Sequence, residues 1–152
     1  MCGIFGILMV NGQNADKDAA SRGARHLAHR GPDGEGSFQE GSIALTHTRL
    51  AIQDLSNSAK QPMQSHSGRY VISYNGEIYN TKAIANELER ANKHMRTASD
   101  TEIFLEAWEQ WGVNSLLKID GMFAAAIWDR YERSLTLVRD PIGIKLLGRV
   151  PV

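Results

Sequence analysis

The chain has 152 residues and no net charge, with 17 lysines and arginines against 17 acids, so bulk charge gives no sign of a nucleic-acid or polyanion surface. Its one cysteine excludes an internal disulfide framework and a cysteine-rich zinc site and fits a reducing compartment. Hydrophobic content of 42% and charged content of 22% are those of a globular domain able to bury about 70% of its unfolded surface.

In chain order, the first element follows directly on Cys2. Ile4 to Met9 reads as a short buried strand, closed by the turn pair Asn11-Gly12. The apolar run Ile4 to Val10 is too short for a bilayer and lacks the basic flank of a signal peptide, so the expected location is the cytoplasm. Removal of Met1 would leave Cys2 N-terminal. A thiol nucleophile and an α-amine of pKa about 7.7–8.0 would then share one residue. The plainer reading of Cys2 is a small core residue.

Asp16 or Asp18 can cap a helix running to about His29, with Ala20, Ala24, Leu27 and Ala28 as its buried stripe. His29-Arg30-Gly31-Pro32-Asp33-Gly34 is dense in helix breakers and reads as a cap and turn. Ser42 to His47 alternates as a strand, with Leu50-Ala51-Ile52 as its continuation or neighbour. Arg49 lies among apolar residues and needs an anionic partner. That partner is either an internal acid or a ligand carboxylate gripped by the guanidinium fork. Asp54 to Ser67 is polar and reads as a surface loop. Arg69 to Tyr74 alternates as a strand, and Asn75-Gly76 beyond it carries the strongest short signal for a hairpin turn. The same pair could also supply a side-chain amide and a backbone N–H to an oxyanion.

Thr81 to Ala91 is expected to be a helix capped by Asn80. A second helix is expected over Asp100 to Trp111, where Ser99 and Glu102 have capping-box spacing. Asp100 at the entrance of that helix reads as an acid satisfying first-turn N–H groups, or as a carboxylate held for a ligand ammonium. Gly121 to Asp129 and Ser134 to Arg139 read as an antiparallel hairpin, followed by a turn at Asp140-Pro141-Ile142-Gly143. No repeat or linker interrupts residues 1–152, which predicts one α+β domain.

Several of these segments carry a family pattern. They are Met1-Cys2-Gly3-Ile4-Phe5-Gly6-Ile7, His29-Arg30-Gly31-Pro32-Asp33-Gly34, His47-Thr48-Arg49-Leu50-Ala51-Ile52-Gln53-Asp54, Tyr74-Asn75-Gly76-Glu77-Ile78-Tyr79-Asn80, Ser99-Asp100-Thr101-Glu102, Gly121-Met122-Phe123-Ala124 and Arg139-Asp140-Pro141-Ile142-Gly143-Ile144-Lys145. In this order they resemble the glutaminase domain of class II glutamine amidotransferases, the N-terminal-nucleophile group. Arg-Gly-Pro-Asp at 30–33 points to the branch of glutamine-hydrolysing asparagine synthetases.

The resemblance implies a four-layer α/β/β/α sandwich of two antiparallel sheets and a residue-by-residue mechanism. Cys2 would attack the glutamine side-chain amide, with Asn75 and the Gly76 N–H on the oxyanion. Arg49 would hold the α-carboxylate. Asp100, helped by Glu77, would take the α-ammonium, with Ile52 also at the substrate. Glutamine is the implied substrate and a synthetase domain or chain the implied ammonia acceptor. No cofactor is expected here, ATP and magnesium belonging to the synthetase part. Two departures bear on this. After Lys145 the chain reads Leu146-Leu147-Gly148-Arg149-Val150-Pro151-Val152, where the family continues with proline, leucine and aromatics. There is also no room for the ATP-using domain, so the chain is not expected to make asparagine alone. A catalytically silent module that pairs with a synthetase chain, and a different N-terminal-nucleophile hydrolase acting on an acyl amide, are the alternatives. The resemblance leaves a homodimer open.

Overall fold

The computed structural model describes residues 2–50 and 60–150. Among these residues, seven strands form two antiparallel sheets. The first has the order β1-β3-β2, from β1 (Gly3–Leu8), β2 (Gly34–Glu40) and β3 (Ile43–Arg49). The second has the order β4-β5-β6-β7, from β4 (Met63–Gln64), β5 (Tyr70–Ile78), β6 (Gly121–Asp129) and β7 (Ser134–Arg139). The described residues also form three α-helices: α1 (Lys17–His26), α2 (Thr81–Arg90) and α3 (Asp100–Trp111).

Strand alternation builds the layers. Ile43 and Leu45 of β3 meet Val71 of β5 and Ala126 and Trp128 of β6, which closes the seam between the sheets. The opposite face of β3 presents Ala44 to Ala15 and Ala20, so small side chains let α1 lie close on the first sheet. On the far side, Ile72, Tyr74 and Ile78 of β5 pack with Phe123 and Ile127 of β6 against Ile84 and Leu88 of α2 and Phe104, Leu105 and Trp108 of α3. The result is the four-layer α/β/β/α sandwich expected from the resemblance, with β3 and β5 face to face across its middle.

Several local expectations are corrected. Asn75-Gly76 is not a turn: it lies inside β5, where Asn75 faces Ala124 and Gly76 faces Phe123 in an unbroken nine-residue ladder with β6. A long partner strand outweighs the turn propensity of two residues. β1 is an edge strand with Phe5 and Leu8 exposed, not a buried one. β2 and β4 were not anticipated. β2 is polar because it too lies at an edge, and the segment read as a surface loop buries Gln61, Met63 and Ser65. α1 stops at His26, and a short 3₁₀ turn, Ala28–Arg30, follows it. Asp16 is its cap, accepting from Asp18 N and Ala19 N. Asn80 does not cap α2 through its side chain, which instead bridges Lys118 and Asp120.

The capping box of α3 is half formed. Ser99 accepts from Thr101 N, but Glu102 turns away to bind the segment before the helix. Its carboxylate, fully buried, accepts from Arg96 N and Nε, Thr97 N and Oγ1, and the His66 ring. One turn on, the buried Glu106 accepts from His66 N at 2.8 Å and has Lys93 Nζ at 3.6 Å. Residues 92–98 and 65–67 therefore cover α3 on a charged seam, which is why the helix is buried from Asp100 to Trp108 on all sides.

Candidate functional site

Cys2 stands at the end of the first sheet, pinned on three sides. Leu50 N donates to its sulfur at 3.4 Å, and Arg30 Nε donates to its carbonyl at 3.2 Å. The next residue, Gly3, donates its N–H to Thr48 Oγ1 at 3.1 Å, and that hydroxyl donates to Leu27 O. The nucleophile candidate is thus fixed to β3 and to the end of α1, with its side chain half-buried.

Two polar contacts set β5 over β3. Ser73 Oγ donates to Thr46 O at 3.0 Å, and the His47 ring bonds the Tyr74 backbone. Burial is the main cause that holds His47 down at about 4, so its ring is neutral and gives an N–H to the Tyr74 carbonyl. Since Ser73 meets Thr46 and Tyr74 meets His47, the next residues of β5 come level with Thr48 and Arg49. Asn75 and Gly76 therefore arrive at the end of the seam where Cys2 lies. Cys2 is near enough to the Tyr74 phenol for charges on the two to interact.

On an antiparallel strand, N–H and C=O groups of alternate residues point to opposite edges. Phe123 N and O both bond Asp140, on the β7 side, so Gly76 opposite it is turned away from β6. Tyr74, Gly76 and Ile78 share that direction and face the edge where β4 has already ended at Met63↔Ile72. Tyr74 N gives its hydrogen to Gln61 Oε1 at 2.6 Å, and Ile78 N to Asp100 Oδ2 at 3.2 Å. The Gly76 N–H between them takes no acceptor from the described residues. The Asn75 side-chain amide, 9% exposed, makes no hydrogen bond with them either. Two donors, one side-chain and one backbone, stand unclaimed side by side.

Asp100 lies beside this edge. Its Oδ2 also accepts from Tyr74 OH at 2.9 Å. Burial, the largest cause, raises its carboxyl above the ordinary range despite these bonds, and the nearby Glu77 carboxylate adds to the rise. Burial likewise raises the Tyr74 phenol, with the Asp100 carboxylate second. Two carboxylates close together, one of them buried, make a place suited to a cation.

A family model for the glutamine amidotransferase domain matches residues 1–148. The chain belongs to that family. Among its relatives, asparagine synthetase [glutamine-hydrolyzing] 1 of Bacillus subtilis is 35% identical over 97% of this chain and 24% of its own length. A probable asparagine synthetase [glutamine-hydrolyzing] of Dictyostelium discoideum is 38% identical over 95% of this chain and 26% of its own. The chain thus spans about a quarter of the curated relatives it matches. Among solved structures, the glutamine phosphoribosylpyrophosphate amidotransferase of B. subtilis, complexed with ADP and GMP, superposes with a TM-score of 0.76 at 23% identity. It covers 93% of this chain and 38% of that one, and it supports the fold.

In this glutamine amidotransferase domain the site residues named from sequence come from the first sheet, β5 and the start of α3. Cys2 and Arg49 share one end of the first sheet, Arg49 closing β3 half-buried, while Asn75, Gly76 and Glu77 run along β5 and Asp100 opens α3. Ile52 lies outside the described residues. Ser99 caps α3, and the Asp100 carboxylate reaches back to β5 while the first-turn Thr101 N–H also acts on it. Sequence reasoning missed the part played by the breaker-rich segment. Arg30 holds the Cys2 carbonyl, Asp33 N donates to Arg49 O at 2.9 Å, and Pro32 bridges to Arg49. Gly31 makes this possible, because a Cβ there would lie 2.4 Å from the Thr48 carbonyl. An arginine between breakers, with no acid beside it before Asp33, was the available signal. No helix among the described residues is long and apolar enough to cross a membrane.

Proposed function

We propose that this domain hydrolyses glutamine to glutamate and ammonia through a thioester on Cys2, and supplies the ammonia to an ATP-dependent amidation of the asparagine-synthetase type. The observation that carries the reading is the unclaimed pair of donors, the Asn75 amide and the Gly76 N–H, at the end of the seam that holds Cys2.

With Met1 removed, the Cys2 α-amine takes the thiol proton and the sulfur adds to the side-chain carbonyl carbon of glutamine. The carbonyl oxygen becomes an oxyanion between Asn75 Nδ2 and Gly76 N. Collapse expels ammonia, which leaves with the proton that the α-amine returns. Water then adds to the thioester through a second oxyanion at the same donors, and glutamate leaves with the thiol restored. Arg49 pairs with the α-carboxylate and Asp100 with the α-ammonium, Glu77 adding negative charge nearby. A free amino acid needs one fixed charge of each sign, and these come from different elements. The reaction uses no cofactor in this domain. The names of the relatives support an asparagine-synthetase partner as the ammonia acceptor.

The test is glutamate and ammonia release by Met1-processed protein from glutamine and from its analogue without the α-amino group. Glutamine is expected to be preferred by at least about 10²-fold, because the analogue leaves the buried Asp100 carboxylate without a cationic partner. Equal turnover of both would remove the amino-acid site from the reading. No turnover of glutamine would leave a binding module. A second measurement addresses the donors. Asn75→Ala is expected to lower kcat by about 10²–10³ with KM for glutamine little changed, the pattern of a group that acts on the transition state. A rise in KM alone would place Asn75 in binding instead.

A further inference from the structure

Tyr74 is held at each of its polar atoms by a different element. Its N–H goes to Gln61 Oε1, its carbonyl to the His47 ring and its hydroxyl to Asp100 Oδ2. The residues that follow it are the two donors, so whatever fixes Tyr74 also aims Asn75 and Gly76. Of the three holds, Gln61 is the one that reaches furthest. Its side-chain Nε2 donates to Thr101 Oγ1 at 3.0 Å, one residue into α3 from Asp100. Its backbone is seated against the first sheet, where a Cβ on Gly36 of β2 would lie 1.9 Å from the Gln61 carbonyl oxygen. Gln61 is 8% exposed and touches β2, β5 and α3 at once.

Chain geometry explains why a side chain does this work. β4 pairs with β5 at Met63↔Ile72 and Gln64↔Val71, so among the described residues no strand lies beside the edge of β5 from Tyr74 onward. A continued strand would supply the missing acceptor for Tyr74 N, but it would also cover the Gly76 N–H two residues on. A single amide group at Tyr74 satisfies the first donor and leaves the second open.

We propose that Gln61 is a positioning residue for the oxyanion donors, its side-chain amide taking the Tyr74 N–H as a strand backbone would and locking Tyr74 to the first turn of α3. This rests on the glutaminase reading above. Gln61 never touches the substrate. It sets the distance between the donors on β5 and the ammonium-binding end of α3, and a misplacement of about 1 Å at such a site costs about 10²-fold in rate.

The experiment compares Met1-processed wild type with Gln61→Met, Thr101→Val and Thr101→Ser. Active sites are titrated with a glutamine-derived diazoketone that alkylates Cys2, so that kcat is read per competent site and not per folded chain. Gln61→Met is expected to lower kcat per titrated site about 10–100-fold with KM for glutamine within about threefold. Affinity for glutamate γ-semialdehyde, whose hemithioacetal places an oxyanion at the same donors, should fall in parallel with kcat. Thr101→Val should show a smaller loss of the same kind, and Thr101→Ser, which keeps the hydroxyl, should restore it. A kcat within twofold of wild type in Gln61→Met overturns the proposal. So does an unchanged aldehyde affinity with a raised KM. A wild type that releases no glutamate after Met1 removal overturns the glutaminase reading instead, and is recognised before any variant is compared.

Discussion

Cys2→Ala is expected to bring glutamate release down by about 10⁴–10⁶-fold, to the level of the buffer. The chain has no second thiol to take over. The fold should survive, because the Cys2 side chain is half-buried and, among the described residues, its sulfur makes only weak contacts with Leu50, at 3.4 and 3.8 Å. The informative comparison is with protein that keeps Met1. Its sulfur is intact, but the free amine belongs to methionine, and no histidine contact to Cys2 is present among the described residues. That form is expected to be as inactive as the alanine variant and to recover on treatment with methionine aminopeptidase. The check is a glutamate assay run beside the intact mass of each sample. Activity in the Met1-bearing form would show that the base is not the α-amine of Cys2.

Glu102→Leu is expected to destabilise the domain by about 3–5 kcal/mol, the scale for removing one partner from a buried charged network. The carboxylate is fully buried and collects bonds from Arg96, Thr97 and His66, so its loss strands donors from two segments at once. Urea unfolding followed by tryptophan fluorescence would measure it, since Trp108 and Trp111 lie on the same helix. The same network gives the fold an acid limit. Burial acts to raise the Glu102 carboxyl, but the Arg96 backbone N–H, the Thr97 hydroxyl, the Arg96 guanidinium and His66 outweigh it and hold the group down at about 2. Its folded value is therefore below its unfolded value of 4.5. The stabilisation is complete above the unfolded value and is lost as pH falls from there towards 2. Wild type should show steep loss of stability in that window, and Glu102→Gln a shallower one. Parallel profiles would place the acid limit elsewhere.

Legibility in the sequence followed the range of the interactions. Helices α2 and α3 and the hairpin β6–β7 were readable because periodicity is local. Asn75-Gly76 was misread as a turn because the force that straightens it is a nine-residue pairing with β6, far along the chain. β2 and β4 carried little signal, being a polar edge strand and a two-residue strand. The site was legible mostly by resemblance. Residue chemistry alone left Arg49 and Asp100 each with two readings, and the structure decides against a simple cap only for Asp100, through Tyr74 and Ile78. Arg30, His47 and Gln61 could not be found from spacing, since what each does depends on a backbone group brought near by folding.

The direction of the Gly76 N–H depends on parity along β5, which has a consequence for how this strand can drift. Many of its side chains can be exchanged without turning a single donor. Deleting or inserting one residue between Tyr70 and Tyr74 forces a different choice. Either the residues before the change keep their register with β6, and Tyr74 goes to the wrong face while the Gly76 N–H rotates toward β6, or the donors keep theirs and the residues before the change are flipped out of the core. Length, far more than composition, is what natural variants of this strand must keep.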